Sequence, residues 1–459
     1  MKTWLRRIGL VILLLTPGLL HLAYRAATQP VPPVVQDGEF EPRVIAEIRQ
    51  AEAAVRNAPR SAEPWARLGG LLAAHGDAER GKACFAQAAR HDDANPLWPY
   101  LEGYLVQSLE SPAAARAQYE EAARRAENPM EVIELRILES LLDAGLVQEA
   151  ERRCEFLASR FTGNPFVAFY QGRCAAERGD WPRAVDHLSR SQQQLPVYQP
   201  TATLLASVYQ QLGDANQAKE QQQRAASASL QHWPDPLLQS LHQFTIGEVA
   251  LRTMAESLSA AGNLAGAEQT LRRAQQLHPE SPDVPLELAA NLVAQQRYDQ
   301  AIPLLRDYRK AHADRVEAAF YLAAALEATG QLAESLQCLD EVVARYPAMP
   351  QARIHQARVQ IKTNQPNAAE QSLRQAIATA PSSFEAHRNL AVLLAQQGRR
   401  DEALQTLTIA ERLAAQNSSP QTALRNLRRL IERRLDSPGD PAEILPIEPD
   451  APASTSDTP

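Results

Sequence analysis

A period of 34 residues runs through residues 248–417, and it constrains the fold more tightly than any other feature of the chain. Units starting at Glu248, Pro282, Val316, Pro350 and Phe384 carry the same residue types at the same offsets. The eighth position is Ala255, Ala289, Ala323, Ala357 and Ala391. The twentieth is Ala267, Ala301, Ser335, Ala369 and Ala403, and the twenty-fourth is Leu271, Leu305, Leu339, Leu373 and Leu407. Repetition without slippage means a stacked array, in which each unit buries its apolar face only against its neighbours.

Inside a unit the apolar spacing is helical. From Val316 to Met349, Phe320, Leu322, Ala323 and Leu326 form one stripe, Gly330 breaks it, and Leu332, Leu336, Leu339 and Val343 form a second. Tyr346-Pro347 ends the second helix, because proline disfavours the α conformation in the residue before it. The prediction is all-α, an α-solenoid of helix–turn–helix units.

The period extends backwards through starts at Ala62, Pro96, Glu131, Pro165 and Gln199. Ala115, Ala150, Ala184 and Ala218 hold the twentieth position, while Gly69, Gly103, Gly172 and Ala206 hold the eighth, with Leu138 the exception. Gly76, Gly145, Gly179 and Gly213 mark the turn between helices. The second unit departs from the pattern, with Glu110-Ser111-Pro112 at its turn and Leu97-Trp98-Pro99-Tyr100 predicting a distorted first helix. The step from Gln199 to Glu248 is 49 residues, one unit plus 15. This insertion, residues 229–247, holds Trp233, Asp235, Leu237, Leu238, Leu241 and Phe244. Two readings stay open for it: a segment packing its apolar residues on the array, or a hinge or docking loop between two five-repeat halves.

The ends differ in kind. Lys2, Arg6 and Arg7 precede an apolar run from Ile8 to Tyr24, which reads as an uncleaved signal anchor because Arg25 and His21 spoil the obvious cleavage sites. Positive residues ahead of the run leave its N-terminus in the cytoplasm and the array outside; cleavage and secretion are the alternative. The predicted organisation is an anchor helix (1–28), a stiff proline-rich spacer (29–39), a capping helix with five repeats (40–228), the insertion (229–247), five repeats with a capping helix (248–435) and a disordered tail (436–459). That tail has six prolines, six acids and no basic residue.

A 34-residue helix–turn–helix unit resembles the tetratricopeptide repeat (TPR) family, whose motif is clearest in the first unit as Trp65, Leu68, Gly69, Phe85 and Ala88, with Gly81 where alanine is usual. The resemblance implies a right-handed superhelix of about ten units. It also implies a concave groove lined by the first helix of each unit at positions two, five, nine and twelve. Those offsets give Phe166, Phe169 and Arg173, then Thr203, Ser207 and Gln210, then Arg252 and Glu256. Further along they give Glu317, Phe320 and Glu327, Ile354 and Arg358, and Glu385 and Arg388. The lysine–asparagine clamp that chaperone-tail binders carry at the fifth and ninth positions is missing, since Arg252/Glu256 and Phe320/Ala324 stand there. The implied guest is an extended segment or helix of another protein. An anchor followed by repeats looks like bacterial envelope proteins that help assemble larger complexes, which places the chain in the inner membrane with its array in the periplasm.

Charge and motif content narrow the function class. The net charge of −7 falls to −1 without the six tail acids, so the array lacks the basic stripe that nucleic-acid binding needs. Gly76-Asp-Ala-Glu-Arg-Gly81-Lys82 imitates a phosphate-binding loop, but Ala83 lacks the hydroxyl for Mg²⁺ and no strand precedes it. No metal-site or redox spacing of cysteines, haem-attachment sequence or nucleophile elbow occurs, so no cofactor and no catalytic residue are expected. Buried apolar filler accounts for the four cysteines, with a Cys154–Cys174 bridge between adjacent units left open. The expected function is a non-enzymatic scaffold or adaptor. The alternatives are a regulatory subunit of a separate enzyme and a self-assembling structural protein.

Overall fold

The computed structural model describes residues 30–196, 198–227, 233, 235–313, 315–416 and 421–433. The predicted signal anchor and acidic tail lie outside them. Among the described residues there are twenty-three α-helices, one 3₁₀ helix and no strand, and no helix is long and apolar enough to cross a membrane. The chain divides into two compact units, residues 1–250 and 251–459.

The first helices of the ten repeats begin at Ala62, Leu97, Glu131, Pro165, Gln199, Glu248, Asp283, Glu317, Pro350 and Phe384, each within one residue of the 34-residue ruler. All fifteen alanines, leucines and the serine that define the ruler in the last five repeats are 3% exposed or less. Ser335 replaces an alanine without leaving a buried hydroxyl unpaired, because its Oγ donates to the Ala323 carbonyl at 2.8 Å. At the eighth position the glycines mark closer approach of the paired helix. A Cβ on Gly172 would lie 2.5 Å from Leu188 Cγ, and one on Gly69 would lie 3.1 Å from the Gly81 carbonyl.

The turn inside every repeat but the second places a residue in the left-handed region. Seven repeats place glycine there with φ of 72–91°, whereas the seventh and ninth use Gln296 (φ 60°) and Asn364 (φ 56°). An Asp or Asn follows in several repeats and caps the second helix: Asp77, Asp180, Asp214 and Asn263 accept from the backbone N–H three residues on.

Two details differ from the sequence expectation. The first helix of the second repeat is regular over Leu97–Leu109, because Pro99 sits in the first turn, where an N–H has no intrahelical partner to lose. The irregularity falls on its second helix, which starts late at Arg116 after the Ser111-Pro112 turn and runs only 10 residues. The proline-rich spacer, in turn, is attached to the array. Val35 is buried, its N–H donates to Glu52 at 3.2 Å, and Arg80 donates to the Val34 carbonyl at 3.0 Å. The capping helix spans Pro42–Asn57 and buries Val44, Ile45, Ile48 and Val55.

Within residues 1–250 one apolar core runs from Val35 to Leu241 and takes in the insertion. Within residues 251–459 the core is a chain of clusters handed from repeat to repeat.

Candidate functional site

In residues 1–250 the first helices of the third, fourth and fifth repeats pack side by side. The insertion lies across the first helices of the first and second repeats. It runs against the repeat order. Trp233 sits in the fourth repeat, with its ring centroid 6.2 Å from Phe166 and 6.0 Å from Tyr170, both edge-on. The Arg136 guanidinium stacks 5.1 Å from the Trp233 ring and 5.7 Å from that of Tyr104. Two residues on, Asp235 accepts from Tyr100 Oη at 2.5 Å and from Arg136 at 3.2 Å. The same carboxylate caps the short helix Pro236–Gln239 by accepting from the Leu238 N–H at 2.9 Å.

A 3₁₀ turn, Ser240–Phe244, then buries Leu241 and lays the Phe244 ring on the first repeat. Only glycine fits beneath it: a Cβ on Gly70 would stand 2.3 Å from the ring. His75 Nδ1 faces the Leu71 carbonyl at 2.8 Å, which assigns the proton to that nitrogen. Nε2 is then the acceptor for the Gly247 N–H at 2.9 Å and the Ile246 N–H at 3.3 Å. Burial lowers the His75 pKa, opposed by the bond to Leu71 and by the Glu41 charge. Glu41, just ahead of the capping helix, accepts from the Glu248 and Val249 N–H groups at 2.7 and 3.1 Å.

Residues 251–459 carry a polar ladder on their first helices. Arg252 donates to Glu287 at 2.8 Å and to Asp283 at 2.9 Å, and Arg315 pairs with the same Asp283. Glu327 receives three basic side chains, His355, Arg358 and Lys362, spaced three and four residues apart on one helix face. His355 Nε2 lies at 2.5 Å, Arg358 binds bidentately at 2.7 and 2.8 Å, and Lys362 Nζ lies at 2.8 Å. Burial acts to raise the Glu327 pKa, but the hydrogen bonds from His355 and Arg358 outweigh it and hold the carboxyl well below its usual range. In the tenth repeat Arg388 donates to Asn389 Oδ1 at 3.1 Å, while the buried Asn389 Nδ2 has no hydrogen-bond partner.

The residues that the family offsets single out therefore fall into groups. Phe166 and Phe169 join the aromatic cluster of Tyr170, Tyr198 and Trp233, with Arg173 half-buried in the same helix. Thr203, Ser207, Gln210 and Glu256 are exposed. Arg252, Glu327 and Arg358 are held in ion pairs between repeats, so their charges are turned toward neighbouring helices. Phe320 and Ile354 are buried, the former edge-on to His355 at 5.8 Å. Glu317 accepts from Tyr346 Oη at 3.3 Å, and Glu385 and Arg388 are half-buried in the tenth repeat. Tyr100, Tyr104 and Gly70 fall outside this set although they occupy the fifth and ninth positions of the first two repeats; the same offsets applied there would have found them. Arg136 and His75 sit off the offsets and have no sequence signal.

Family models for the tetratricopeptide repeat match residues 135–198 and 355–418, residues 258–326 and 292–361, and residues 200–232, together more than half of the chain. No curated protein matches it. Similar solved structures include the protein TTC0263 of Thermus thermophilus, at 21% identity and a TM-score of 0.35, covering 42% of this chain and 100% of that one. A second is MamA from Desulfovibrio magneticus RS-1, at 17% identity and a TM-score of 0.34, covering 38% and 97%. A third is YrrB, described as a TPR protein with an unusual peptide-binding site, at 17% identity and a TM-score of 0.33, covering 43% and 99%. By its matches to these family models over more than half of its length, the chain belongs to the tetratricopeptide repeat family.

Proposed function

We propose that this protein is a non-enzymatic scaffold that binds an extended segment of another protein along its first helices. It is anchored in a bacterial inner membrane by its apolar N-terminal segment and holds its array in the periplasm, where it positions an envelope complex. One observation carries the binding reading: the first-helix face of residues 1–250 already holds a stretch of chain, Trp233 and residues 235–247, through aromatic, charged and backbone-directed contacts. Those are the three kinds of contact that recognise a peptide main chain and its side chains. Support for the anchor comes from the basic residues Lys2, Arg6 and Arg7 ahead of the apolar run.

The test is affinity capture from envelope extract with the full chain and with a variant bearing Thr203→Arg, Ser207→Glu and Gln210→Arg. These exposed positions change the groove without touching the core. A defined protein retained by the first and lost by the second is the expected result; identical retention by both would remove the groove from the reading. Recovery in the soluble fraction of cells, with nothing in carbonate-washed membranes, would remove the anchor.

A further inference from the structure

We propose that the first-helix face of residues 1–250 is a site for a peptide bearing an aromatic residue two positions ahead of a carboxylate, and that Trp233 and residues 235–247 hold the site in cis until such a partner displaces them. The inference rests on the scaffold reading and names the class of its ligand.

The groove side is specific. Phe166, Tyr170 and Arg136 make a slot for an aromatic ring, and Arg136 with Tyr100 makes a carboxylate site one short step away. Arg136 is almost fully buried, so emptying the groove removes both its stacking ring and one of its carboxylate partners. Without the segment the guanidinium turns to water while keeping Glu139 and Tyr104, and a partner with the same two groups in the same spacing regains the charge-assisted pair and the stacking.

The cis occupant, by contrast, is imperfect. Trp233 is buried with its indole N–H unpaired. A donor shut away from water without an acceptor weakens the bound state. A partner with Phe at that position, or with an acceptor beside it, keeps the stacking and avoids the orphan. What favours the cis segment is tethering, which presents it at an effective concentration on the order of millimolar. A partner therefore competes against a local concentration rather than against an optimised fit.

The probe is a fluorescent synthetic peptide reproducing residues 233–249, titrated into the full chain. The emptied variant carries Trp233→Ala and Asp235→Asn, which remove both anchors from the cis segment and leave every groove residue intact. Its affinity for the peptide is expected to exceed that of the unaltered protein by roughly tenfold or more, and a peptide with the same two changes should bind neither. A second variant, Gly70→Ala, evicts the Phe244 ring while giving the helix Ala62–Ala74 a better helix former. It should keep full helical content while the Ile246 and Gly247 amides exchange faster. Loss of helical content in both variants would make the segment an obligatory part of the core and overturn the proposal. So would equal peptide binding by the emptied and unaltered chains, or a dimer in which the emptied variant takes up the segment of a second copy. If peptide binding fails while partner capture through Thr203, Ser207 and Gln210 persists, this inference falls and the scaffold reading stands.

Discussion

Replacing Glu327 with glutamine tests the strongest electrostatic claim in residues 251–459. The carboxylate is buried and accepts from His355, twice from Arg358 and from Lys362, all within 2.8 Å. Glutamine keeps the shape and one acceptor oxygen but removes the charge that the buried Arg358 guanidinium binds bidentately. Breaking a buried pair from one side costs about 3–5 kcal/mol. Lys362 is half exposed and adds little, so Glu327→Gln should destabilise by about 3 kcal/mol at pH 7. The sign with pH follows from the lowered carboxyl pKa. Its stabilising effect is complete above the ordinary carboxylate range near about 4.3 and fades as pH falls toward the folded-state value. The gap between the two proteins is thus widest above about pH 5 and narrows in acid. Urea unfolding at pH 7 and pH 3.5, with hydrogen exchange over residues 317–362 as the local readout, measures both. Adding Arg358→Met should recover part of the loss, because the charge that Glu327 balances goes with it. Unfolding midpoints that agree within about 0.5 kcal/mol at pH 7 would refute the reasoning, as would a loss that is unchanged in acid.

Other predictions follow from the turns, the packing and the thiols. Gln296→Gly should stabilise by about 0.5–1 kcal/mol, because glutamine is strained at φ 60° while glycine gives back part of that in the unfolded chain. Asn364→Gly should gain less, since asparagine tolerates the left-handed region; an equal or larger gain in calorimetry would contradict this. Gly172→Ala should cost about 1–3 kcal/mol by overpacking against Leu188, and the same measurement on Gly172→Ala with Leu188→Ala should show coupling between the two sites. All four thiols should stay silent toward Ellman's reagent at pH 8 and react in denaturant, since all are free and buried. Burial pushes the Cys84 thiol up to about 12, and the hydrogen bond with Cys174, reinforced by burial, pushes Cys154 up as well. The Ile246 and Gly247 amides should exchange faster, after correction for intrinsic rates, as pH falls below about 6.5. His75 is held neutral by burial, with the nearby Glu41 charge opposing, and protonation removes the lone pair that both N–H groups use. Unchanged protection at pH 5 would rule that out.

How much was legible depends on how far apart in sequence the interacting groups lie. The 34-residue ruler placed the first helices to within a residue, because Ala255, Leu271 and their equivalents are buried by contacts inside one repeat or with the next. Such contacts recur, so a one-dimensional pattern records them. The turn glycines were equally plain, apart from Gln296 and Asn364, which take the same backbone without the same residue. Pro99 misled because its cost depends on its position within the helix, which the sequence around it does not announce.

The candidate site was legible only in part. Phe166 and Phe169 fell on family offsets and lie in the aromatic cluster. Arg252, Glu327 and Arg358 fell on the same offsets, yet they pair between repeats, because opposite charges on adjacent first helices come within bonding distance of each other. What the insertion does was beyond the sequence. Its Trp, Asp, Leu and Phe announced that something would be buried but not where. The Asp235–Tyr100 and Gly247–His75 contacts join residues 135 and 172 positions apart. The sequence alone determined the repeat, its helix pairs and its buried ruler, since each depends on neighbours within one period. Tertiary structure alone decided that Trp233 and residues 235–247 turn back along the first helices of their own unit, because that choice is made by the shape and charge of a surface assembled from four separate repeats.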